Sequence, residues 1–383
     1  LLPNLKHLPP KDATNTITGD SIHDYFVDGS PAIFRHNSKT YVAFGLRRGG
    51  KDLTTGGELT NQYTILNVTN YRSPLFSAYI PKTVLCANAL DTTSERLGQS
   101  WATPHFMKMR TSSGSRDVLL IGGGYDTNQD LSDPGSRDTK GRAVFAYDLE
   151  TGTKLDQLNF NYAKGNTDFR YCVVDFKAYD NDDDGCDDTV YVPTVGGDLI
   201  SLNGRSNDGT WTERVLFSAT PSSSSPTLFS NLRKFFYAPG IAQMSWNGQV
   251  GDWVYIGSGD REHPKNSSVL NRFYAIRNTW DSWNLTDANL TDMSDDILQD
   301  SSATSQDITN RLGALSSSKG WYFNLAAGEK VVSTPLVFNK VVYFTTPLEY
   351  QYCRRSLRRR QRCRRRLAVC RRFRDGKGSL PGI

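Results

Sequence analysis

Five times along the chain a short apolar segment gives way to a second apolar run and then to a turn. Ser30-Pro31-Ala32-Ile33-Phe34 leads to Thr40-Tyr41-Val42-Ala43-Phe44-Gly45, and Tyr63 to Asn70 closes the unit. Thr103-Pro104-His105-Phe106-Met107 leads to Val118-Leu119-Leu120-Ile121-Gly122 and then to Val144-Phe145-Ala146-Tyr147-Asp148-Leu149. A third unit is expected to open at Val173-Val174-Asp175-Phe176 and to continue through Val190-Tyr191-Val192 and Gly196 to Leu202. The fourth runs from Ala238-Pro239-Gly240 through Trp253 to Gly259 and closes at Arg272 to Arg277. A fifth begins at Ser333-Thr334-Pro335-Leu336-Val337, reaches Val341 to Thr346, and has no closing strand. β-Branched and aromatic residues dominate each run, the composition of a half-buried strand. The period, roughly 50–75 residues, suits a four-stranded blade with loop insertions. A single blade cannot bury both faces, so blades must stack on one another. The expected fold is therefore all-β, a β-propeller with about four full blades and part of a fifth. A β-sandwich is the competing architecture, but it predicts no such in-order recurrence.

Between Phe176 and Val190 lies Asp180-Asn181-Asp182-Asp183-Asp184-Gly185-Cys186-Asp187-Asp188. Six carboxylates in nine residues repel one another unless a cation sits among them. Asp180, Asp182 and Asp184 alternate, Gly185 permits a sharp bend, Cys186 offers a backbone carbonyl and Asp188 closes the ring. That offset resembles the first positions of an EF-hand loop, whose ligands suit calcium. The twelfth EF-hand position falls on Tyr191, and Thr189 to Val192 read as a strand. The expectation is a calcium loop between two strands, with Asp180, Asp182, Asp184, Asp188 and the Cys186 carbonyl as ligands. A solvated acidic turn is the alternative.

The chain has 383 residues and a formal net charge of +5. That total is misleading: residues 353–383 hold twelve arginines and Lys377 against Asp375 alone, so the remainder is net acidic. An acidic β body is not the footprint of a nucleic-acid-binding domain. No apolar run reaches the roughly eighteen residues of a membrane span. Residues 1–24 read as a polar opening segment and 25–347 as the propeller, while 348–383 form an Arg-rich tail of no structural period. The tail reads either as a shifted reading frame in G+C-rich DNA or as a polybasic arm. Leu1-Leu2-Pro3-Asn4 lacks a signal peptide's basic start, and the chain reads as a piece of a longer, exported protein. Insertions at 127–142, 203–233 and 260–330 are candidate recognition loops, the last containing a short helix around Ile308 to Leu315. Of the six cysteines, Cys86, Cys172, Cys186, Cys353, Cys363 and Cys370, none has zinc spacing. Cys172 and Cys186 either pair across one hairpin or pack as small apolar residues.

Several stretches together resemble the PilY/PilC-type tip-associated adhesins of type IV pili, in their carboxy-terminal β-propeller domain. They are Tyr25 to Pro31, Leu97-Gly98-Gln99-Ser100-Trp101, Gly122 to Asp126, the acidic loop with Gly196-Gly197, Gly259-Asp260-Arg261-Glu262-His263-Pro264, Asn271 to Ile276, and Ala327 to Pro335. The resemblance implies a seven-bladed propeller at the cell surface or pilus tip, with minor pilins and host or abiotic surfaces as partners. It implies a calcium loop that controls pilus extension and retraction, carried here by Asp180, Asp182, Asp184, Asp188 and the Cys186 carbonyl. The chain lacks the large amino-terminal region usual in such adhesins, and the later blades are missing or scrambled. The competing function is a calcium-stabilised quinoprotein-like oxidoreductase. That class resembles this one in fold but is marked by an adjacent Cys-Cys pair and a tryptophan repeat, neither of which occurs here. Asp260-Arg261-Glu262-His263 is the one reactive-looking cluster, and a salt-bridged loop is its simpler reading. Gly122-Gly123-Gly124 precedes no helical pattern and is not a phosphate cradle.

Overall fold

The computed structural model describes residues 28–48, 63–72, 75–76, 97–131, 136–155, 160–161, 169–206, 209–219, 232–246, 248–339 and 341–347. The opening segment, Tyr25-Phe26-Val27, the Arg-rich tail and Cys86, Cys353, Cys363 and Cys370 lie outside them. The chain divides into two compact units, Leu1–Asn128 with Asp138–Val174, and Gln129–Arg137 with Asp175–Ile383.

In the first unit β1 (Ala32–His36), β2 (Lys39–Gly45), β3 (Tyr63–Asn67) and β4 (Leu75–Phe76) form one antiparallel sheet in chain order. Asn37 and Ser38 join β1 to β2 with φ of 47° and 62°, the left-handed pair that matches the twist of a two-residue hairpin. A second antiparallel sheet holds β5 (His105–Thr111), β6 (Gly114–Gly122), β7 (Ala143–Asp148) and β8 (Phe160–Asn161). Alternation along β1 and β2 aims Phe34, Tyr41 and Ala43 at Leu119, Ile121 and Phe145 in one apolar layer. Phe34 stacks on Phe106 with ring centroids 3.4 Å apart. Gly45, ending β2, has no room for a side chain: a Cβ there would lie 2.1 Å from the Ser100 carbonyl oxygen.

The second unit begins with β9 (Lys177–Tyr179), β10 (Thr189–Pro193), β11 (Asp198–Asn203) and β12 (Thr212–Ser218), again an antiparallel sheet in chain order. Next come β13 (Gly240–Trp246), β14 (Gln249–Gly257), β15 (Arg272–Asn278), β16 (Thr291–Asp292), α1 (Ser305–Ser317) and β17 (Gly320–Asn324). Their sheet runs β13-β14-β15-β17-β16, with β16 parallel to β17. The expected helix is α1, started by a capping box between Thr304 and Asp307. A hairpin of β18 (Leu336–Phe338) and β19 (Val341–Tyr343) follows. Tyr191, Leu199, Phe217, Val254, Ile256 and Tyr274 fill one core, and Trp253, Tyr255, Phe273, Trp321 and Phe323 another.

One expectation is corrected, and one open alternative is resolved. Val173-Val174-Asp175-Phe176 is not a strand, and the third sheet opens at Lys177. Val173 instead makes a single bridge to Gly124, and the Asp175 carboxylate accepts the Ala238 N–H at 2.8 Å. These contacts draw the segment out of any ladder. Cys172 and Cys186 are not joined by a disulfide; both are buried. Burial, with Asp138 beside it, pushes the Cys172 thiol well above its ordinary range, as for an inert packing residue.

Candidate metal centre

The acidic stretch is the connection between the neighbouring strands β9 and β10. It turns through two left-handed residues, Asp183 at φ 60° and Gly185 at φ 84°. Asp180 organises the turn. Its Oδ1 accepts the Asp182 and Asp184 N–H groups, each at 3.3 Å, and its Oδ2 accepts that of Gly185 at 2.8 Å. Asp188 at the far end accepts the Asn181 N–H at 2.9 Å, so the two ends of the loop are tied together.

This folding brings Asp180, Asp182 and Asp188 to one point, with one carboxylate oxygen from each lying within 4.8 Å of the others. Asp184 does not join them: its Oδ1 accepts the Cys186 N–H at 2.8 Å in a local turn. Cys186, within the loop, is buried. Burial, together with Asp182 and Asp180 alongside, pushes the Asp188 carboxyl above its ordinary value. All the convergent donors are hard oxygens, and the repulsion among them is what a divalent cation would relieve. The donor set therefore fits calcium, with Asp180, Asp182 and Asp188 as the carboxylates that would hold it.

Beneath the loop lies a polar network that sequence reasoning missed. Asn181 turns inward and is buried. Its Nδ2 donates to Asp252 Oδ2 at 2.7 Å, and its Oδ1 accepts from the Thr189 hydroxyl at 2.6 Å. Its carbonyl accepts from Gln243 Nε2 at 2.6 Å. Tyr191 donates its hydroxyl to the same Asp252 oxygen at 2.5 Å and accepts from Asn278 Nδ2 at 2.9 Å. Burial pushes the Asp252 carboxyl up in spite of the Tyr191 and Asn181 hydrogen bonds, and burial beside Asp252 pushes the Tyr191 phenol well up. Asp252 Oδ1 is buried and accepts nothing from the described residues. Tyr191, at the place where an EF-hand sets its bidentate glutamate, faces the protein interior instead. The signal available in the sequence was Asn181 itself, the one uncharged residue among the first five of the loop.

The reactive-looking cluster at Asp260 to His263 is an ion-pair knot. Asp260 Oδ2 meets Lys234 Nζ at 2.8 Å and His263 Nδ1 at 2.9 Å, while His263 Nε2 meets the Asp130 carbonyl. Burial alone would raise the Asp260 carboxyl, but Lys234 and then His263 outweigh it and hold it below its ordinary value. Gly122-Gly123-Gly124 packs among backbones and leads into no α-helix.

The crystal structure of the Pseudomonas aeruginosa PilY1 C-terminal domain is similar to this chain with a TM-score of 0.55 at 17% identity, over 84% of this chain and 68% of that one. The likeness shows the fold, an all-β β-propeller type. A structure of RS223-Beta-xylosidase aligns over 85% of this chain and 86% of its own at 10% identity, with a TM-score of 0.28 that is too low to bear on the fold. No family model matches the sequence, and no curated protein does. Among the described residues no helix is long and apolar enough to cross a membrane.

Proposed function

We propose that this chain is the calcium-binding β-propeller module of a type IV pilus tip-associated adhesin. In this reading it works at the cell surface, in attachment and in calcium-dependent control of pilus extension and retraction. Its partners are minor pilins and host or abiotic surfaces, and it carries no catalytic centre. The observation that carries the calcium reading is the convergence of Asp180, Asp182 and Asp188. The fold likeness to the PilY1 C-terminal domain supports the adhesin reading. Calcium supplies positive charge that joins the two ends of the β9–β10 connection, while Asp180 already holds the turn through backbone N–H groups. The ion-pair knot at Asp260 leaves that carboxylate engaged with Lys234 and His263, which favours a structural role over acid–base work.

Calorimetric titration of the full chain tests the reading. An extracellular module of this kind should bind calcium with a Kd of about 10⁻⁴–10⁻³ M. Asp188→Ala should abolish the heat, and identical titrations of wild type and variant would refute the site. Dye-linked dehydrogenase activity on addition of a quinone would overturn the non-catalytic reading.

A further inference from the structure

We infer that Asn181 is a positioning residue that spaces the calcium ligands and couples occupancy of the loop to β13 and β14 through Gln243 and Asp252. The inference rests on the calcium reading above and deepens it. Asp182 to Gly185 are exposed, whereas Asn181, between the ligands Asp180 and Asp182, is buried. Each of its four polar groups has a separate partner: Asp188 on its N–H, Gln243 on its carbonyl, Thr189 and Asp252 on its side chain. Three of these partners lie on or beside β10, β13 and β14, the rigid strands of two adjacent sheets. The third ligand, Asp188, is itself bonded to Asn181. All three convergent carboxylates are thus one bond or one residue from a single fixed point.

That arrangement serves the ligands directly. Carboxylates brought together without an ion push apart, and Asn181 holds their backbones against the push. Such support raises affinity because the ordering cost is met before the ion arrives. Coupling of this kind is reciprocal, so an ion that tightens the loop must also tighten what Asn181 grips. The grip is costly in itself. Asp252 is fully buried, one of its oxygens takes two hydrogen bonds and the other takes none from the described residues. A core optimised for stability alone would not keep a half-satisfied carboxylate there.

The experiment compares wild type, Asn181→Ala and Asp252→Asn in the full chain. It pairs calcium calorimetry with hydrogen exchange of peptides spanning Gly240 to Gly257, with and without calcium. In wild type, calcium should slow exchange in β13 and β14. Asn181→Ala should weaken calcium binding by about 10- to 100-fold and remove the slowing, as loss of a ligand's support does. Asp252→Asn keeps an oxygen to accept from Asn181 and Tyr191 and should retain the slowing. If Asn181→Ala loses its far-UV circular dichroism, Gln243→Ala is read in its place, and loss of the slowing is again expected. Wild-type affinity and slowing in the Asn181 or Gln243 variant would overturn the coupling and leave the calcium site standing. A wild type that takes up no calcium would overturn both.

Discussion

At Gly185 the backbone runs at φ 84°, and nothing lies within 4 Å of where a Cβ would stand. Gly185→Ala therefore meets only the left-handed backbone, a cost of about 1–2 kcal/mol. Gly257, ending β14, poses the opposite problem. A Cβ there would lie 2.1 Å from Val331 Cγ2 and 2.4 Å from its Cβ, in a buried layer. Gly257→Ala must displace Val331 and is expected to cost about 3 kcal/mol. Urea unfolding should rank the midpoints wild type, then Gly185→Ala, then Gly257→Ala; the reverse order of the two variants would refute this account. The bend at Gly185 was legible in the sequence, as were two members of the Asp180, Asp182, Asp184 alternation and the closing Asp188. The fate of Asp184 was not, because an aspartate two residues before a free N–H can cap it locally as readily as reach a distant cation. Nor was Asp252, whose place beside Asn181 depends on how two sheets lie together.

The elements themselves were largely written in the chain. Runs of β-branched and aromatic residues became β2, β6, β10, β14 and β15, and the apolar spacing from Ile308 to Leu315 became part of α1. The segment at Val173 misled because an apolar run looks the same whether it joins a ladder or plugs a gap. Between elements, the Lys234–Asp260 pair fastens the segment before β13 to the end of β14. Its dependence on pH follows from sign. Lys234 and His263 hold the folded Asp260 carboxyl below its ordinary value, so the stability it adds is complete above the unfolded value, about 3.9, and is lost as pH falls through the lower folded value. Asp260→Asn strands a buried ammonium and should cost about 3 kcal/mol at pH 7. Melting curves of wild type and variant should converge as the pH drops below about 4. A gap that stays constant down to pH 2 would show that it does not arise from the Asp260 charge.

For the molecule as a whole, the β18–β19 hairpin is two-stranded where the other sheets have four or five. Val337 and Val342 turn one face toward the Trp253 and Phe273 core. Leu336, Phe338 and Tyr343 turn the other face outward, Phe338 with 68% of its surface exposed. An exposed apolar sheet face invites association. Phe338→Glu should lower concentration-dependent light scattering without moving the melting temperature, and unchanged scattering would clear the hairpin. Repetition made this architecture readable, since each sheet comes from consecutive residues. The break in that rule, an excursion between β15 and β17, carried no periodic signal of its own beyond α1.

That excursion has a consequence for the order in which the sheets assemble. Among the described strands, the fourth sheet alone pairs a strand with one that returns only after an α-helix: β15 ends at Asn278, and β17 does not begin until Gly320. Each sheet before it can pair from strands that follow one another directly in the chain. The fourth waits, with Phe273 bare of Phe323 and a flank of unpaired amides, until the loop has closed and β17 docks. Partly folded chains are therefore expected to associate through the bare flank of β15.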